Sequence, residues 1–533
     1  MKRGTPSLIR PNQKIWLIPL LIFLIAFSIR VIGLKFSFPL LTHHDEQYII
    51  DPLIEMSKNH SLDSGKYNRP NQVLYTVLFG YLNLLSKVFF NKNFGWAYEE
   101  NILFFYFHAR LIVAVFGAMV PVLAWKIGKL FKGVDFSLPA ALLTCFYPPY
   151  IVHSHYITPD ILNTFFSLAV ILFCLKYLQK KEKFWLIFAC IGVALNTLEK
   201  YPGILSYGIV LVTIGISTFS QEKQNPGANW RFFFQETLLS FGIVVVSMFI
   251  FAPHLFFELD QIWSDLLIEG RSTHLGADNL SWLGNIRFYL EVFINATGWL
   301  VALSVLAGIV FSITSRQPSM LLLFFGAGYW VALSKLGLHW ERWSLPMMIT
   351  PLLLSSLGFS KLWEISKHIK IGKVIAVAFF VLFFSVYAVN GLSSSVVLNW
   401  PDTRVEALNF STKNDITEEN SISEGYSPFH PRLVKTIFNY DYKNPGQTRY
   451  AILSSNMFGR YAAEPERYLI ENDYYKGLRD SSTLIAEFKP STKPSNTKEQ
   501  VIIIIDYLSN LIKGTKTSFL TGPTIQIYLL PQN

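Results

Sequence analysis

The sequence predicts a polytopic α-helical membrane protein with about 11 transmembrane helices, interfacial helices and a small C-terminal α/β domain outside the membrane. Three observations predict this class. The 533 residues are 51% apolar and 15% charged, with a positive mean hydropathy, whereas soluble domains carry roughly a quarter charged residues. Apolar runs of membrane-spanning length recur up to residue 393. The remainder, 394–533, has the composition of a soluble domain.

Eleven apolar runs account for the predicted spans, because a helix needs about 20 apolar residues to cross roughly 30 Å of hydrocarbon. The first run is too long for the core of a signal peptide and lacks a small-residue cleavage site, so it is expected to be the first span. The runs are 15–34, 107–127, 136–154, 159–178, 184–200, 202–219, 236–256, 288–312, 319–337, 343–360 and 371–393.

One further apolar segment, 73–90, is predicted to lie along the outer interface instead of crossing. Loops on the cytoplasmic side of membrane proteins are rich in Lys and Arg. With a cytoplasmic N-terminus and a segment 73–90 that does not cross, every basic cluster falls on the cytoplasmic side, whereas a crossing segment would place all of them outside. The clusters are Lys126/Lys129/Lys132, Lys180/Lys181/Lys183, Lys223/Arg231, Arg316 and Lys361/Lys367/Lys370/Lys373.

This topology describes a multi-pass cell-membrane protein in two parts, a membrane domain (1–393) and an extracytoplasmic domain (394–533). The membrane domain has two long external loops, 35–106 with the interfacial helices and 257–287. The net charge of +10 lies wholly before Asp402, since the basic and acidic residues from there onward balance. This distribution is typical of cytoplasmic loops and not of a nucleic-acid-binding surface. The three cysteines all fall in apolar runs, which excludes a disulfide framework and a structural zinc site.

The C-terminal domain is predicted to be α/β because turn signals separate short runs of strand and helix character. Strands are expected at 450–454, 501–505 and 524–530, and a helix is expected near 468–479. The turn signals are Asn444-Pro445-Gly446 and Thr521-Gly522-Pro523.

Three acidic residues at the membrane boundary are the candidate catalytic groups: Asp45, Glu46 and Asp160. Asp45 and Glu46 follow the first span and Asp160 begins the fourth, so the predicted topology puts all three at the outer interface. Ionisable groups near the hydrocarbon are costly and usually functional. The alternatives are two solvated loop charges for Asp45 and Glu46, and for Asp160 a carboxylate that only stabilises a helix N-terminus.

Basic residues on the same predicted face are candidates for binding a phosphate. They are Arg69 before the interfacial segment, Lys200 after the fifth span, Arg342 between two later spans, and Arg271 and His274 in the second external loop. Arg binds a phosphate with a two-pronged fork and Lys binds it as a point charge. Each residue taken singly is more often an interface anchor, but several on one outer face favour an anion site.

Six short motifs follow one another along the chain. They are Asp45-Glu46, Tyr67-Asn68-Arg69-Pro70, Ala109-Arg110-Leu111, His153-Ser154-His155-Tyr156-Ile157-Thr158-Pro159-Asp160, Leu198-Glu199-Lys200-Tyr201-Pro202-Gly203 and Glu341-Arg342-Trp343-Ser344-Leu345-Pro346. Each motif alone is weakly specific, but their order over nearly the whole chain resembles glycosyltransferase family 39. This is the GT-C-fold group of protein O-mannosyltransferases and bacterial aminoarabinose–lipid A transferases.

The resemblance implies a membrane glycosyltransferase that moves a hexosyl or pentosyl group from a polyprenyl-phosphate donor to an acceptor hydroxyl or phosphate, with inversion, at the outer face. Asp45 is then the expected base, because a carboxylate must accept the proton of the attacking hydroxyl. Glu46 and Asp160 are expected to orient the acceptor or to support the base.

The leaving phosphate needs positive charge and no general acid. Arg69 is the first candidate to supply that charge and Lys200 and Arg342 are the next, while Arg271 and His274 are expected to close over the substrate from their loop. No cofactor is expected beyond the donor substrate, and no residue pattern supports a metal site. The expected partners are the bilayer, the lipid-linked sugar, and an acceptor that is a lipid, a glycan or a protein.

Two other classes of function are alternatives to this one. A multi-pass transporter or flippase of lipid-linked sugars would place ionisable residues near the bilayer midplane, commonly in repeated halves with interrupted helices. The predicted spans are nearly free of mid-span charge, and the acids gather at one face, which favours the enzyme. A membrane anchor for the C-terminal domain would need only one or two spans.

Overall fold

The structure, a computed structural model, describes residues 14–131, 135–219, 226–315, 319–368, 372–429 and 437–531. Apolar α-helices dominate its first three quarters. They are α1 (Lys14–Val31), α2 (His44–Asn59), α3 (Gln72–Phe90), α4 (Phe94–Ala97), α5 (Ile102–Gly128), α6 (Ser137–Cys145), α7 (Pro148–His153), α8 (Asp160–Lys180), α9 (Lys183–Glu199), α10 (Tyr207–Phe219), α11 (Pro226–Phe251), α12 (Leu259–Glu269), α13 (Trp282–Thr297), α14 (Trp299–Ser315), α15 (Met320–Ser334), α16 (Ile349–Ser366) and α17 (Gly372–Leu398). Short 3-10 helices lie at Tyr98–Glu100, Tyr201–Ser206, Pro253–Phe256 and Glu341–Ser344.

Several of these helices are long and apolar enough to cross a membrane. Within the described residues there are six, or seven if the bent pair α13 and α14 forms one span, and α1 and α15 are shorter apolar helices. The six are α3, α5, α8, α11, α17 and the continuous segment Tyr201–Phe219 that ends in α10. The predicted multi-pass helical class is confirmed.

Three of the predicted spans are wrong as single straight helices. The run 136–154 is divided into α6 and α7, because Pro148 disfavours helical backbone at the residue before it. The run 288–312 bends by 113° between α13 and α14 at Gly298, which has a φ of +81°. The run 343–360 becomes α-helical only at Ile349, after a 3-10 turn.

Helix α3 coincides with the segment predicted to be interfacial, although its length and composition would allow it to cross. At its start, the backbone N–H of Leu74 donates to the carboxylate of Glu199 at the end of α9, over 2.9 Å. At its end, the ring of Phe90 lies 5.6 Å from that of Phe104 in the first turn of α5. Arg110, less than two turns further along α5, binds Glu46 together with the backbone just before α8. The first residue of α8 in turn pairs with Lys200, next to Glu199. The α3 helix therefore starts and ends at one end of the bundle.

The C-terminal part of the chain forms a small sheet flanked by helices, as predicted. Its strands pair in the order β1-β2-β4-β3, with β1 parallel to β2 and the other pairs antiparallel. One face of the sheet packs on α20 and the other on α18, forming two small apolar cores. The elements are α18 (Thr403–Lys413), β1 (Ser421–Ser423), β2 (Tyr450–Ser454), α19 (Ser455–Ala462), α20 (Leu469–Ser481), β3 (Thr483–Phe488), α21 (Thr497–Lys513) and β4 (Ile525–Leu529), with a 3-10 turn at Ile437–Asn439.

The predicted elements of this domain are confirmed with one exception. Strands β2 and β4 and helix α20 match their predicted segments. The run 501–505 is wrong as a strand, because it lies inside α21, whose N-terminus is capped by the Asn496 side chain and whose C-terminus ends at left-handed Gly514. Strands β1 and β3 were not predicted. Helix α17 continues past residue 394 and ends at Leu398.

Candidate active site

Asp45 and Glu46 lie in the first turn of α2, which begins at His44 directly after the extended residue His43. Consecutive residues of a helix project about 100° apart, so the two carboxylates point in different directions. The side chain of Glu46 is 1% exposed, whereas that of Asp45 is 22% exposed. The structure therefore separates two residues that the sequence treats as one pair.

Glu46 forms a buried, two-pronged ion pair with Arg110 of α5. The Nε and Nη2 atoms of Arg110 donate to the two carboxylate oxygens over 2.9 and 2.7 Å, and the backbone N–H of Ile157 donates to Oε1 over 3.1 Å. Arg110 also donates to the carbonyl of Leu34 and lies over the ring of Phe36 at 3.6 Å. This hydrogen-bonded ion pair connects the end of α1, the start of α2 and α5. The surroundings of Glu46 are therefore those of a residue that stabilises the fold.

Asp45 lies between two guanidinium groups in a partly open position. Arg342, from the 3-10 turn before α16, forms an ion pair with Oδ2, and Nη1 of Arg69 is 3.6 Å from Oδ1. Arg69 also lies 5.8 Å from the ring centroid of Tyr48. The structure thus brings together the predicted base and two of the three predicted phosphate ligands, although they are up to 297 residues apart in the chain.

The third predicted acid and the third predicted phosphate ligand pair with each other. Asp160 is the first residue of α8 and is buried, while Lys200 follows the last residue of α9 and is partly exposed. Their Oδ1 and Nζ atoms are 2.6 Å apart. The position of Asp160 at a helix N-terminus is as predicted, and Lys200 neutralises its charge.

Aromatic and imidazole rings connect these two acid sites. The ring of His43 stacks on Tyr156 at 4.0 Å, and Tyr156 meets His153 edge-on at 5.7 Å. Burial lowers the pKa of His43 to about 3, so this imidazole is neutral near pH 7. The Nδ1 atoms of His43 and His153 are buried without a hydrogen-bond partner in the described part of the chain.

The two candidates of the 257–287 loop, Arg271 and His274, occupy different positions. The backbone N–H of His274 donates to Asp278 over 2.8 Å, and its ring packs edge-on against Trp340 at 5.1 Å. Trp340 in turn lies 5.8 Å from the guanidinium of Arg342, so His274 joins the wall of the site through this indole. Arg271 is exposed on the loop and contacts none of the other candidates within the described ranges.

The C-terminal domain contributes residues that sequence reasoning did not find. Tyr426 has a left-handed φ of +65°, and its ring lies 6.4 Å from that of His44, beside Asp45. The guanidinium of Arg460 lies 5.3 Å from the Tyr426 ring. Arg467 holds the loop residue Asp278 through two bonds of 2.8 and 3.0 Å. These contacts join segments that are far apart in the sequence, so no local sequence signal identifies them.

The arrangement can perform two chemical tasks at one place. A partly exposed carboxylate can accept a proton, and the adjacent guanidinium groups can bind an anion. Among the described residues, no group of three or more His, Cys, Asp or Glu side chains could hold a metal ion.

Comparison with solved structures defines the class of fold. The chain is similar to the apo crystal structure of ArnT from Cupriavidus metallidurans, with a TM-score of 0.53, 13% identity, and coverage of 89% of this chain and 96% of that one. It is similar to the apo oligosaccharyltransferase of Archaeoglobus fulgidus, with a TM-score of 0.53, 12% identity, and coverage of 97% and 89%. The fold is that of the GT-C membrane transferases, as the sequence predicted.

The sequence comparison narrows the resemblance. Residues 104–257 match the model of the family described as dolichyl-phosphate-mannose-protein mannosyltransferase. The predicted resemblance to glycosyltransferase family 39 is therefore confirmed. No curated protein sequence matches the chain.

Proposed function

We propose that the protein is a membrane glycosyltransferase that moves a sugar from a polyprenyl-phosphate donor to an acceptor hydroxyl at the outer membrane face, with inversion. The observation that carries this proposal is the position of Asp45 between Arg69 and Arg342. This reaction needs a proton acceptor and an anion-binding site that are no further apart than the width of one sugar ring. The matched family, described by a dolichyl-phosphate-linked donor, supports the same donor chemistry.

In the proposed reaction, the acceptor oxygen attacks C1 of the sugar as Asp45 takes its proton. The bond between C1 and the phosphate oxygen breaks, and the phosphate leaves with the electron pair. Arg69 and Arg342 stabilise the charge that develops on that oxygen. A guanidinium has five N–H donors, so each Arg can hold the phosphate while it still contacts Asp45.

The remaining acids support this centre without taking the proton. Asp160 and Lys200 form the neighbouring wall, where a paired carboxylate can accept hydrogen bonds from sugar or acceptor hydroxyl groups. Glu46 acts through Arg110, because their buried pair holds the start of α2 and thus the backbone of Asp45. Arg271 and His274 are proposed to contact the substrate from the loop, with His274 already placed against Trp340.

The outer location follows from the proposed topology, in which α3 lies along the interface and the C-terminal domain is extracytoplasmic. The return of α3 to its starting end of the bundle supports this topology. Labelling intact cells with an impermeant maleimide tests it at two exposed positions. Glu99→Cys, between α3 and α5, should react from outside, and Lys180→Cys, at the other end of α8, should react only after lysis. The reverse pattern at Lys180 would mean that α3 crosses.

The direct test of function is transfer of labelled sugar from a panel of hexosyl and pentosyl polyprenyl phosphates. Membranes containing the wild-type chain are compared with membranes containing Asp45→Asn, and lipid, glycan and protein fractions are counted separately. We expect one donor to give label in one fraction, and expect the variant to lose it. Movement of a lipid-linked sugar across vesicles without transfer from any donor would instead identify a flippase.

A further inference from the structure

Helix α21 of the C-terminal domain carries an apolar surface that no protein segment covers within the described residues. The spacing of three and four residues places these side chains along one side of the helix. We refer to them as the apolar arc: Val501, Ile502, Ile505, Leu508, Leu511 and Ile512, all of them exposed. The most exposed, Ile512, has 86% of its surface accessible. An aqueous environment for this arc would be costly.

The opposite side of α21 packs on the membrane helix α17. Ile503 is buried in a small cluster with Val396 and Trp400. The side-chain amide of Gln500, in the first turn of α21, donates to Asn390 over 2.9 Å. The contact therefore covers the last two turns of α17 and the residues that follow.

The exposure pattern of α17 shows where along its length α21 is in contact. Large apolar side chains of α17 are exposed from Val374 to Val386, as expected for a span that faces lipid. That exposure ends just before Asn390, where the contact with Gln500 begins. The α21 helix thus lies against α17 where the exposed apolar surface of that span stops.

The length of α17 gives the level of this contact. Asn390 lies 18 residues after the start of α17 at Gly372, which corresponds to about 27 Å along a helix axis. The hydrocarbon core is about 30 Å thick. The first turn of α21 therefore meets α17 near the outer limit of the hydrocarbon.

We propose that α21 is an interfacial helix that rests in the outer leaflet, with the apolar arc toward the acyl chains. Lys498 and Lys513 flank the arc at its two ends, where their ammonium groups can reach the lipid headgroups. This contact ties the C-terminal domain to the bilayer surface. The same contact fixes the distance between the domain and the membrane site. Tyr426 and Arg467 of this domain extend toward that site.

Depth-dependent quenching in the full-length protein tests the proposal. Leu508→Cys and Ile512→Cys are labelled with an environment-sensitive fluorophore and reconstituted into phosphatidylcholine vesicles with brominated acyl chains. Asp473→Cys, on an exposed position of α20, is the matched control. The native cysteines are buried, so the label goes to the introduced thiol. These positions are exposed, so the substitutions should leave the fold intact.

The expected result is a blue-shifted emission at positions 508 and 512 that brominated lipid quenches, with neither effect at position 473. Emission at 508 and 512 equal to that at 473 would overturn the proposal, because the arc would then face water. A blue shift that brominated lipid does not quench would also overturn it, because the arc would then contact a protein, such as a second copy of this chain.

Discussion

Asp45 and Glu46 are adjacent in the sequence but belong to two regions of different character. Around Glu46, Arg110 and backbone groups satisfy every oxygen, and the pair is closed to solvent. Around Asp45, Arg342 and Arg69 hold the carboxylate in a partly open site. The same chemical pair, carboxylate and guanidinium, is a structural joint in one region and a candidate reaction centre in the other. Solvent access, and not residue type, makes the difference.

The largest effect on stability is expected from breaking the closed region. Arg110→Met leaves Glu46 buried without its cation, which typically costs about 3–5 kcal/mol. We expect a large fall in the melting temperature of the purified protein. The double variant Glu46→Leu/Arg110→Met should recover part of it, because no charge remains uncompensated. The matched control is Arg69→Met in the open region, which should melt near wild type. Equal melting of both single variants would remove the distinction between the regions.

A smaller effect is expected on donor binding in the open region. Arg342→Ala should weaken binding of a labelled polyprenyl phosphate about ten- to a hundredfold, which corresponds to the roughly 1.5–3 kcal/mol of a charge-assisted contact. Arg69→Ala should weaken it less, since Arg69 is the more exposed residue. Arg69→Lys should retain part of the affinity, because the charge remains and only the fork is lost. Unchanged binding in both Ala variants would make these residues interface anchors.

Glu424 adds a third carboxylate to the comparison, buried like Glu46 but without a guanidinium fork. It accepts hydrogen bonds from Tyr475 and the backbone of Ser454 in the C-terminal domain. Burial raises its pKa from 4.5 to about 8. Between these values the folded chain keeps a proton that the unfolded chain has lost, so stability falls as the pH rises, by at most about 1.4 kcal/mol per pH unit.

Urea unfolding of the full-length protein between pH 5 and pH 8 checks this prediction, with a fluorophore at Asp473→Cys to follow the domain. Glu424→Gln should remove most of the slope, because the amide cannot ionise. A slope that is identical in the variant would show that another group is responsible.

The class of fold was predictable from the sequence because composition and the length of apolar runs report directly on the bilayer. Local signals also indicated the candidate acids and cations, since most of them follow or precede an apolar segment. The breaks at Pro148 and Gly298 were missed, because hydropathy counts apolar residues and is insensitive to backbone direction. The run of four consecutive isoleucines predicts a strand within α21, because β-branched residues favour strands. The residues that cap the helix lie outside that run.

The pairing within the site could not be read from the sequence. Arg342 contacts Asp45 across 297 residues, and only the packing of the bundle decides that partner. The different surroundings of Asp45 and Glu46 likewise depend on which side of α2 meets α5. Tyr426 reaches the site from another domain, and no local sequence pattern predicts its left-handed backbone conformation.

The most direct test of the central claim measures transfer rate and melting temperature side by side for Asp45→Asn and Glu46→Gln. General-base assistance typically contributes about 10²–10⁴-fold. We therefore expect Asp45→Asn to lose at least about a hundredfold in rate while it keeps its melting temperature and its donor binding. Glu46→Gln should instead lower the melting temperature, and any loss of rate should follow from that loss of stability. Near-normal turnover in Asp45→Asn would contradict the account, and so would a Glu46→Gln variant that is inactive at an unchanged melting temperature.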